Sequence, residues 1–302
     1  MSNWHGRIFC WVPCVLVVTM ATGCSGRESF PAPEDVEPEL VAPEPSLKLY
    51  VFECGRLRFD TVVNFSIEDS ETDVRELVVP CYIVDHPNGR MLWDGGLPSY
   101  VADVEGWHVN ARIGRTVRLD RTLAEQLAEL EIGFDLSSLD YMAFSHIHYD
   151  HVGVANEIVG ATWLVQQGDY AAAFADPVTV PAVQPELLTN LRDVDRMVLT
   201  GDQDVFGDGR VRIISAPGHT PGHQVLFLDL AATGPLVLSG DLYHFRLSRE
   251  DRRVPVFNVD AEMSLESMEK VETFVAEQNA TFWIEHELAL FETLRTAPQF
   301  YE

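Results

Sequence analysis

Residues 145–153 read Ser-His-Ile-His-Tyr-Asp-His-Val-Gly and directly follow an apolar run, 139–144, that predicts a buried strand. Four side chains of types that bind metal ions lie within six positions of this segment: His146, His148, Asp150 and His151. Alternate residues of an extended chain point the same way, so His146 and His148 can hold one ion. Asp150 and His151 lie where the chain turns and can face a second ion. Imidazole with carboxylate suits zinc or a similar first-row divalent metal, and this density of ligand types disfavours the alternative of a solvated histidine-rich loop.

Three further candidate ligands share one context. His219, Asp241 and His286 each come immediately after an apolar strand-like run, where side chains collect at the edge of a sheet. The seven residues divide into two sets with Asp241 between them: His146, His148 and His219; Asp150, His151 and His286. Two cations a few ångströms apart need a bridging carboxylate to offset their repulsion. Such a pair acidifies a bridging water and polarises a carbonyl or phosphoryl oxygen.

The order and spacing of these motifs resemble the metallo-β-lactamase superfamily over about residues 47–302. The segments that carry the resemblance are His-Ile-His-Tyr-Asp-His, Gly-His-Thr-Pro-Gly-His, Ser-Gly-Asp and the late His286. The resemblance implies an α/β chain folded as a four-layer αβ/βα sandwich with its metals at one edge. It implies two divalent ions as cofactors, with zinc first and iron, cobalt or manganese as alternatives. Classical class B β-lactamases place a cysteine at the second metal; Asp241 stands here, which argues against that activity.

Within the superfamily, the order of the ligands and the aspartate at the bridging position, Asp241, resemble those of the N-acyl homoserine lactonase family. The segments 79–82, 92–94, 241–244 and 297–301 are also similar to members of that group. This resemblance implies that a small-molecule lactone is the substrate and that a metal-bridging hydroxide opens its ring. Asp150 is then both a ligand and the expected proton carrier. The alternatives are a hydrolase of the same fold acting on other lactones, esters, thioesters or phosphodiesters, or a metal-binding lipoprotein without turnover.

One position departs from the lactonase pattern. The family has a tyrosine three residues after the bridging aspartate, and it helps to hold the lactone carbonyl. His244 occupies that position here, and Tyr243 comes one residue earlier. The resemblance leaves open whether Tyr243 or His244 fills the catalytic role, or whether both are structural.

The N-terminus predicts export. Arg7 is the only Lys, Arg, Asp or Glu before position 27, and an apolar stretch over 8–20 leads to Ala21-Thr22-Gly23-Cys24. This resembles a bacterial lipoprotein signal peptide over 1–23, with membrane attachment through a lipidated Cys24. An ordinary secretory signal and a retained anchor are the alternatives. The protein would then be anchored by lipid in the periplasm. By the lipoprotein sorting rule, Ser25 favours attachment to the outer membrane.

A tether and a folded domain follow the signal. Residues 24–46 are rich in proline and glutamate, which extend a chain and deny it a core, whereas residues 47–302 carry the strands, helices and motifs of the hydrolase domain. Two stretches of helical periodicity predict helices over 120–131 and 261–278. Residues 176–195, with three prolines and weak periodicity, predict a lid or an insertion.

The net charge limits which partners the protein can bind, and the cysteine content limits which thiols or disulfides the folded domain can contain. A formal net charge of −26 argues against nucleic acid as a partner, because phosphate binding needs basic patches. The sequence leaves open whether the protein forms a homodimer.

Once the signal is removed and Cys24 is lipidated, Cys54 and Cys81 remain in apolar runs. We expect two buried free thiols there, with a disulfide as the alternative.

Overall fold

The computed structural model describes residues 46–130 and 133–302. The signal peptide predicted for 1–23 and nearly all of the tether predicted for 24–46 therefore lie outside the described residues. In the described ranges, no helix combines the length and the apolar character needed to cross a membrane. The strands are β1 (Lys48–Arg58), β2 (Glu76–His86), β3 (Gly89–Trp93), β4 (His108–Asn110), β5 (Arg115–Arg118), β6 (Tyr141–Ala143), β7 (Thr162–Gln166), β8 (Arg196–Leu199), β9 (Gln203–Asp204), β10 (Val211–Ser215), β11 (Gln224–Leu230), β12 (Gly234–Leu238), β13 (Thr281–Trp283) and β14 (Phe300–Tyr301). The helices are α1 (Leu123–Glu129), α2 (Gln167–Ala173), α3 (Arg246–Asp251), α4 (Ala261–Gln278) and α5 (Leu288–Phe291).

The strands form two sheets. The first has nine strands in the order β4-β5-β1-β2-β3-β6-β7-β8, with β14 also paired to β1. Its β3, β6, β7 and β8 run parallel to one another, so their carboxyl ends meet at one edge. The second sheet has five strands in the order β13-β12-β11-β10-β9, in which β12 and β13 are parallel. The edges where these parallel strands end carry most of the predicted ligands.

Alternation along the strands builds the layers. In β1, Leu49 and Val51 face the core between the two sheets, whereas Tyr50 and Phe52 face the core on the outer side of the first sheet. Because both faces are covered, both sets of apolar side chains are buried and the strand reads as one apolar run. Helix α4 covers the outer face of the second sheet through Met268, Val271 and Val275. The order of layers is helices, sheet, sheet, helices, which confirms the predicted αβ/βα sandwich.

The helices follow their local signals closely. The range predicted from periodicity, 261–278, is the observed range of α4; Asp260 caps its first turn by accepting a hydrogen bond from the Met263 N–H at 2.9 Å. The helix predicted over 120–131 is shorter, because the capping box of Thr122 and Glu125 starts α1 at Leu123. The predicted insertion over 176–195 contains two short 3₁₀ helices whose Leu187, Leu188 and Leu191 are buried against the first sheet.

The expectation for the two cysteines is wrong: Cys54 and Cys81 form a disulfide. Strands β1 and β2 are antiparallel neighbours with Phe52 opposite Cys81, and an irregularity between Glu53 and Arg56 shifts the register beside them. The two Cα atoms lie 5.7 Å apart, within the range that a disulfide spans. Apolar patterning places both residues in strands, but only the pairing register shows that they meet.

We expect the Cys54→Ala/Cys81→Ala double variant to have a free energy of unfolding about 3 kcal/mol lower than the parent. The bond closes a loop with a sequence separation of 27 residues, and its loss frees the unfolded chain more than the folded one. Urea unfolding with and without reductant measures the effect. Reductant should destabilise the parent and leave the double variant unchanged; equal stability of parent and variant would contradict the prediction.

Candidate metal centre

The seven predicted ligands meet at one edge of the sandwich. The loop after β6 carries His146, His148, Asp150 and His151; the connection from β10 to β11 carries His219; Asp241 and His286 follow β12 and β13. All seven are buried, with at most 7% of any residue exposed. They form two groups whose ligand atoms lie within 4.8 Å of one another: His146, His148, His219 and Asp241; Asp150, His151 and His286. The structure brings together the same two sets of three residues and groups Asp241 with the first of them.

The carboxylate of Asp241 lies between the two groups. Its Oδ2 is 3.1 Å from His219 Nε2 and 3.5 Å from His146 Nε2. Its Oδ1 is 2.8 Å from His286 Nε2 and 3.3 Å from His151 Nε2. One oxygen therefore faces each group, which is the arrangement that a bridging carboxylate requires.

In three of the histidines, the hydrogen bond made by Nδ1 shows that the lone pair of the neutral ring is on Nε2, the nitrogen that faces the site. His286 Nδ1 lies 2.7 Å from the carbonyl oxygen of Val78, and a carbonyl can only accept, so Nδ1 carries the proton. His219 Nδ1 donates in the same way to Asn258 Oδ1 at 2.9 Å, and His151 Nδ1 to Asp94 Oδ2 at 2.8 Å. In the neutral imidazole the opposite nitrogen, Nε2, is then an acceptor, and in all three residues it faces the Asp241 carboxylate.

Acceptor atoms that converge on a carboxylate need a positive charge among them. His219 Nε2 lies 3.2 Å from His146 Nε2 and 3.1 Å from His148 Nδ1, distances at which two lone pairs repel. Burial lowers the pKa of His146 and His148, which keeps both rings neutral. At His286 burial also lowers the pKa, but the Asp241 charge outweighs it and raises the pKa to about 9. Without a bound cation this ring therefore carries the positive charge itself, and its Nε2 donates to Asp241. The donor set and its charge fit divalent cations held by imidazole and carboxylate.

Asp94, which was not among the predicted site residues, holds the ligand loop. Asp94, at the end of β3, accepts hydrogen bonds from the N–H and the Oγ–H of Ser145, at 2.5 and 2.9 Å, as well as from His151. The signal was present as Asp94-Gly95-Gly96 directly after an apolar strand. A β-carbon at Gly153 would overlap the backbone at Gly96 and Leu97, so only glycine lets the ligand loop pack this closely.

Asp169 and His223 hold the loop that carries His219. Asp169, buried in α2, accepts hydrogen bonds from Thr220 Oγ1 at 2.8 Å and from the Gly222 N–H at 2.7 Å, and burial raises its pKa to about 6. His223 donates through Nδ1 to the carbonyl of Ala216, and its Nε2 accepts the Asp241 N–H, both at 2.9 Å. His223 thus ties this loop to the backbone of the bridging carboxylate and orients its ligands.

Tyr243 and His244 point to different places because neighbouring residues of an extended segment face opposite ways. The Tyr243 ring packs behind the second sheet, with Phe282 in the α4 core. His244 Nε2 lies 2.9 Å from Asp241 Oδ2, and its ring stacks on His286 with centroids 5.6 Å apart. Of the two residues that the resemblance left open, the structure places His244 in the site and Tyr243 behind the second sheet.

A cleft of about 390 Å³ opens onto His244 and His286. Its apolar lining comes from Val74, Leu77, Phe245, Leu247, Leu288 and Ala289. A larger cavity, of about 640 Å³, lies between α3 and β13 and includes none of the seven ligand candidates. Of these two cavities, the smaller cleft is the one that reaches the ligand groups, through His286 and the neighbouring His244.

The fold and the site together define a hydrolase-type metal centre at the edge of an αβ/βα sandwich. The model of the metallo-beta-lactamase superfamily matches residues 74–277, and the chain belongs to this superfamily. The N-acyl homoserine lactonase AttM of Rhizobium radiobacter is 28% identical over 271 residues, covering 84% of this chain and 98% of that protein. The N-acyl homoserine lactonase AiiA of Bacillus thuringiensis subsp. kurstaki is 25% identical over 258 residues, with 84% and 98% covered.

Solved structures agree with this assignment. An N-acyl homoserine lactone hydrolase with its product N-hexanoyl-L-homoserine at the catalytic metal centre is 25% identical to this chain. It superposes with a TM-score of 0.70 and covers 84% of this chain and 99% of its own. AidC, a dizinc quorum-quenching lactonase, shares the fold at 17% identity and a TM-score of 0.59, over 85% of this chain and 94% of its own.

Proposed function

We propose that this protein is a metal-dependent hydrolase that opens the lactone ring of N-acyl homoserine lactones. The observation that carries the proposal is the Asp241 carboxylate, which faces a ligand group with each of its oxygens. The lactonase relatives match along 98% of their length, so their similarity extends over the whole hydrolase domain. Both cysteines of that domain are joined in a disulfide away from the ligands, which leaves a class B β-lactamase site without its cysteine ligand.

The chain's own residues divide the work of the reaction. Two divalent ions, for which we propose zinc, supply Lewis acidity and a water that ionises near neutral pH. Asp150 is a buried carboxylate in the second ligand group, where it can take a proton and return it to the leaving alkoxide. His244 borders the cleft, where its Nε2–H donates to the Asp241 carboxylate, and its ring would lie beside the lactone carbonyl. The apolar lining offers a surface for an acyl chain and excludes water from it.

We also propose that the protein is exported and anchored by lipid at Cys24, with the outer membrane favoured. Ala21-Thr22-Gly23-Cys24 after an apolar stretch supports this. The disulfide between Cys54 and Cys81 supports export independently, because such bonds persist in oxidising compartments. The acidic tether of residues 24–46 would hold the domain away from an anionic lipid surface.

Purified protein with two equivalents of zinc should release acid from N-acyl homoserine lactones at constant pH. Asp150→Asn should lower kcat about 10²–10⁴-fold while some metal is retained, because it removes the proton carrier and weakens one ligand. Titration under pH control and metal analysis measure both, with Asp229→Asn on the exposed face of β11 as the matched control. No turnover of short or long acyl chains would exclude the function, and parental turnover by Asp150→Asn would exclude the role.

Tyr243 and His244 provide a matched pair of variants. His244→Gln should raise KM or lower kcat by about tenfold, because it alters a group beside the reacting carbonyl. Tyr243→Phe should leave both constants within about twofold, since the hydroxyl lies behind the sheet. Steady-state kinetics of both variants on one lactone measure these effects. A larger effect of Tyr243→Phe than of His244→Gln would assign the substrate contact to Tyr243.

Cys24→Ala should move the protein from the membrane fraction to the soluble periplasmic fraction. The alanine removes the thiol to which lipid would be attached, and without that lipid the domain has no membrane anchor. Fractionation of cells fed a labelled fatty acid measures both the location and the lipid. An unlabelled parent, or a variant that stays with the membrane, would contradict lipid anchoring.

A further inference from the structure

Glu285 is a buried carboxylate that the reaction does not use. It precedes His286, and 2% of it is exposed. Its Oε1 accepts two hydrogen bonds, from Trp93 Nε1–H at 3.0 Å and from the Gly240 N–H at 2.8 Å. Its own N–H donates to Ser239 Oγ at 3.1 Å. Among the residues that the structure describes, its Oε2 has no hydrogen-bond partner.

Glu285 and the two donors to its Oε1 each precede a residue of the metal centre. Gly240 precedes the bridging Asp241, and Glu285 itself precedes His286. Trp93 precedes Asp94, which holds His151 through its Nδ1. Trp93 ends β3 of the nine-stranded sheet, whereas Gly240 and Glu285 follow β12 and β13 of the other sheet. One oxygen atom therefore joins both sheets directly behind the ligands.

Packing alone does not call for an acid at this position. A carboxyl group loses its hydration on burial, and an apolar residue of similar volume would fill the space at lower cost. The Gly240 peptide, in contrast, needs an acceptor: it has a left-handed φ of 48° and lies against Ser145, so its N–H cannot turn to water. The direction of that peptide sets the direction of the Asp241 side chain that follows it.

We propose that Glu285 is a positioning residue of the metal centre, whose Oε1 holds the Gly240 peptide and so sets Asp241 against His286 and His151. The proposal concerns assembly of the site and goes beyond the lactonase reaction. Metal affinity reports on it whether or not a lactone is the substrate, so failure of one proposal is distinguishable from failure of the other.

Three substitutions separate the acceptor atom from the negative charge. Glu285→Gln keeps an oxygen at the Oε1 position and removes the charge; its amide can turn its N–H₂ towards Asp94. Glu285→Asp keeps the charge but is one methylene too short to reach Gly240. Glu285→Leu removes both. If the acceptor is what matters, the glutamine variant rescues what the other two lose.

The test is titration of each full-length variant with Co²⁺, followed by its d–d absorption, and with Zn²⁺ against a chromophoric chelator. We expect Glu285→Gln to bind two equivalents within about threefold of the parental affinity and with the parental cobalt spectrum. Glu285→Asp and Glu285→Leu should bind at least about tenfold more weakly with a changed spectrum, the size of effect that partners behind metal ligands have.

Val271→Ala is the control for a merely structural role. It removes apolar contacts between α4 and the second sheet and leaves the hydrogen bonds of Glu285 in place, so stability should fall while cobalt affinity stays within about threefold. Circular dichroism checks that each variant is folded; if the leucine variant is not, the aspartate and glutamine variants decide. Parental affinity and spectrum in the aspartate variant, equal losses in the glutamine variant, or a tenfold loss in Val271→Ala would each overturn the proposal.

Discussion

The site depends on one buried carboxylate that is surrounded by imidazoles. Asp241 lies within 3.5 Å of a nitrogen of His146, His151, His219, His244 and His286. Burial opposes its ionisation, yet the histidines hold the pKa of Asp241 well below its usual range. A charge kept ionised in the interior must be paired, and divalent ions held by this carboxylate and the surrounding imidazoles would meet that need. The two sheets must then meet with little freedom, because their strand ends carry the partners.

The surrounding contacts decide what the ligands can do. The outer nitrogens of His151, His219 and His286 each donate to a fixed acceptor: a carboxylate, an amide and a backbone carbonyl. These contacts choose the tautomer of each ring and leave the lone pair on the metal side. The disulfide joins β1 to β2, and the Val78 carbonyl that accepts from His286 belongs to β2. Strand β2 thus carries both a disulfide that stabilises the first sheet and the carbonyl that orients His286.

Much of the site could be predicted because its ligands are local motifs or directly follow apolar strands. His146 to His151 lie within six positions, and His219, Asp241 and His286 stand where a strand ends. The positions of Asp94 and Glu285 behind the ligands could not be predicted, since each acts on a residue far along the chain through a pairing of sheets. The pairing of Cys54 with Cys81 was missed, and the choice between Tyr243 and His244 stayed open, for a related reason: each depends on register or on alternation at one residue.

The sequence by itself determined which side chains can bind metal and which segments form strands and helices. These follow from residue type and from periodicity, which act over a few positions of the chain. Only the tertiary structure decided that the Asp241 oxygens face different ligand groups and that His244 lies in the site in place of Tyr243. It also decided that Glu285 joins the two sheets behind the metal-binding side chains. Such facts depend on the packing of segments far apart in sequence, and shifting one strand by a single residue would reverse the faces of all its side chains.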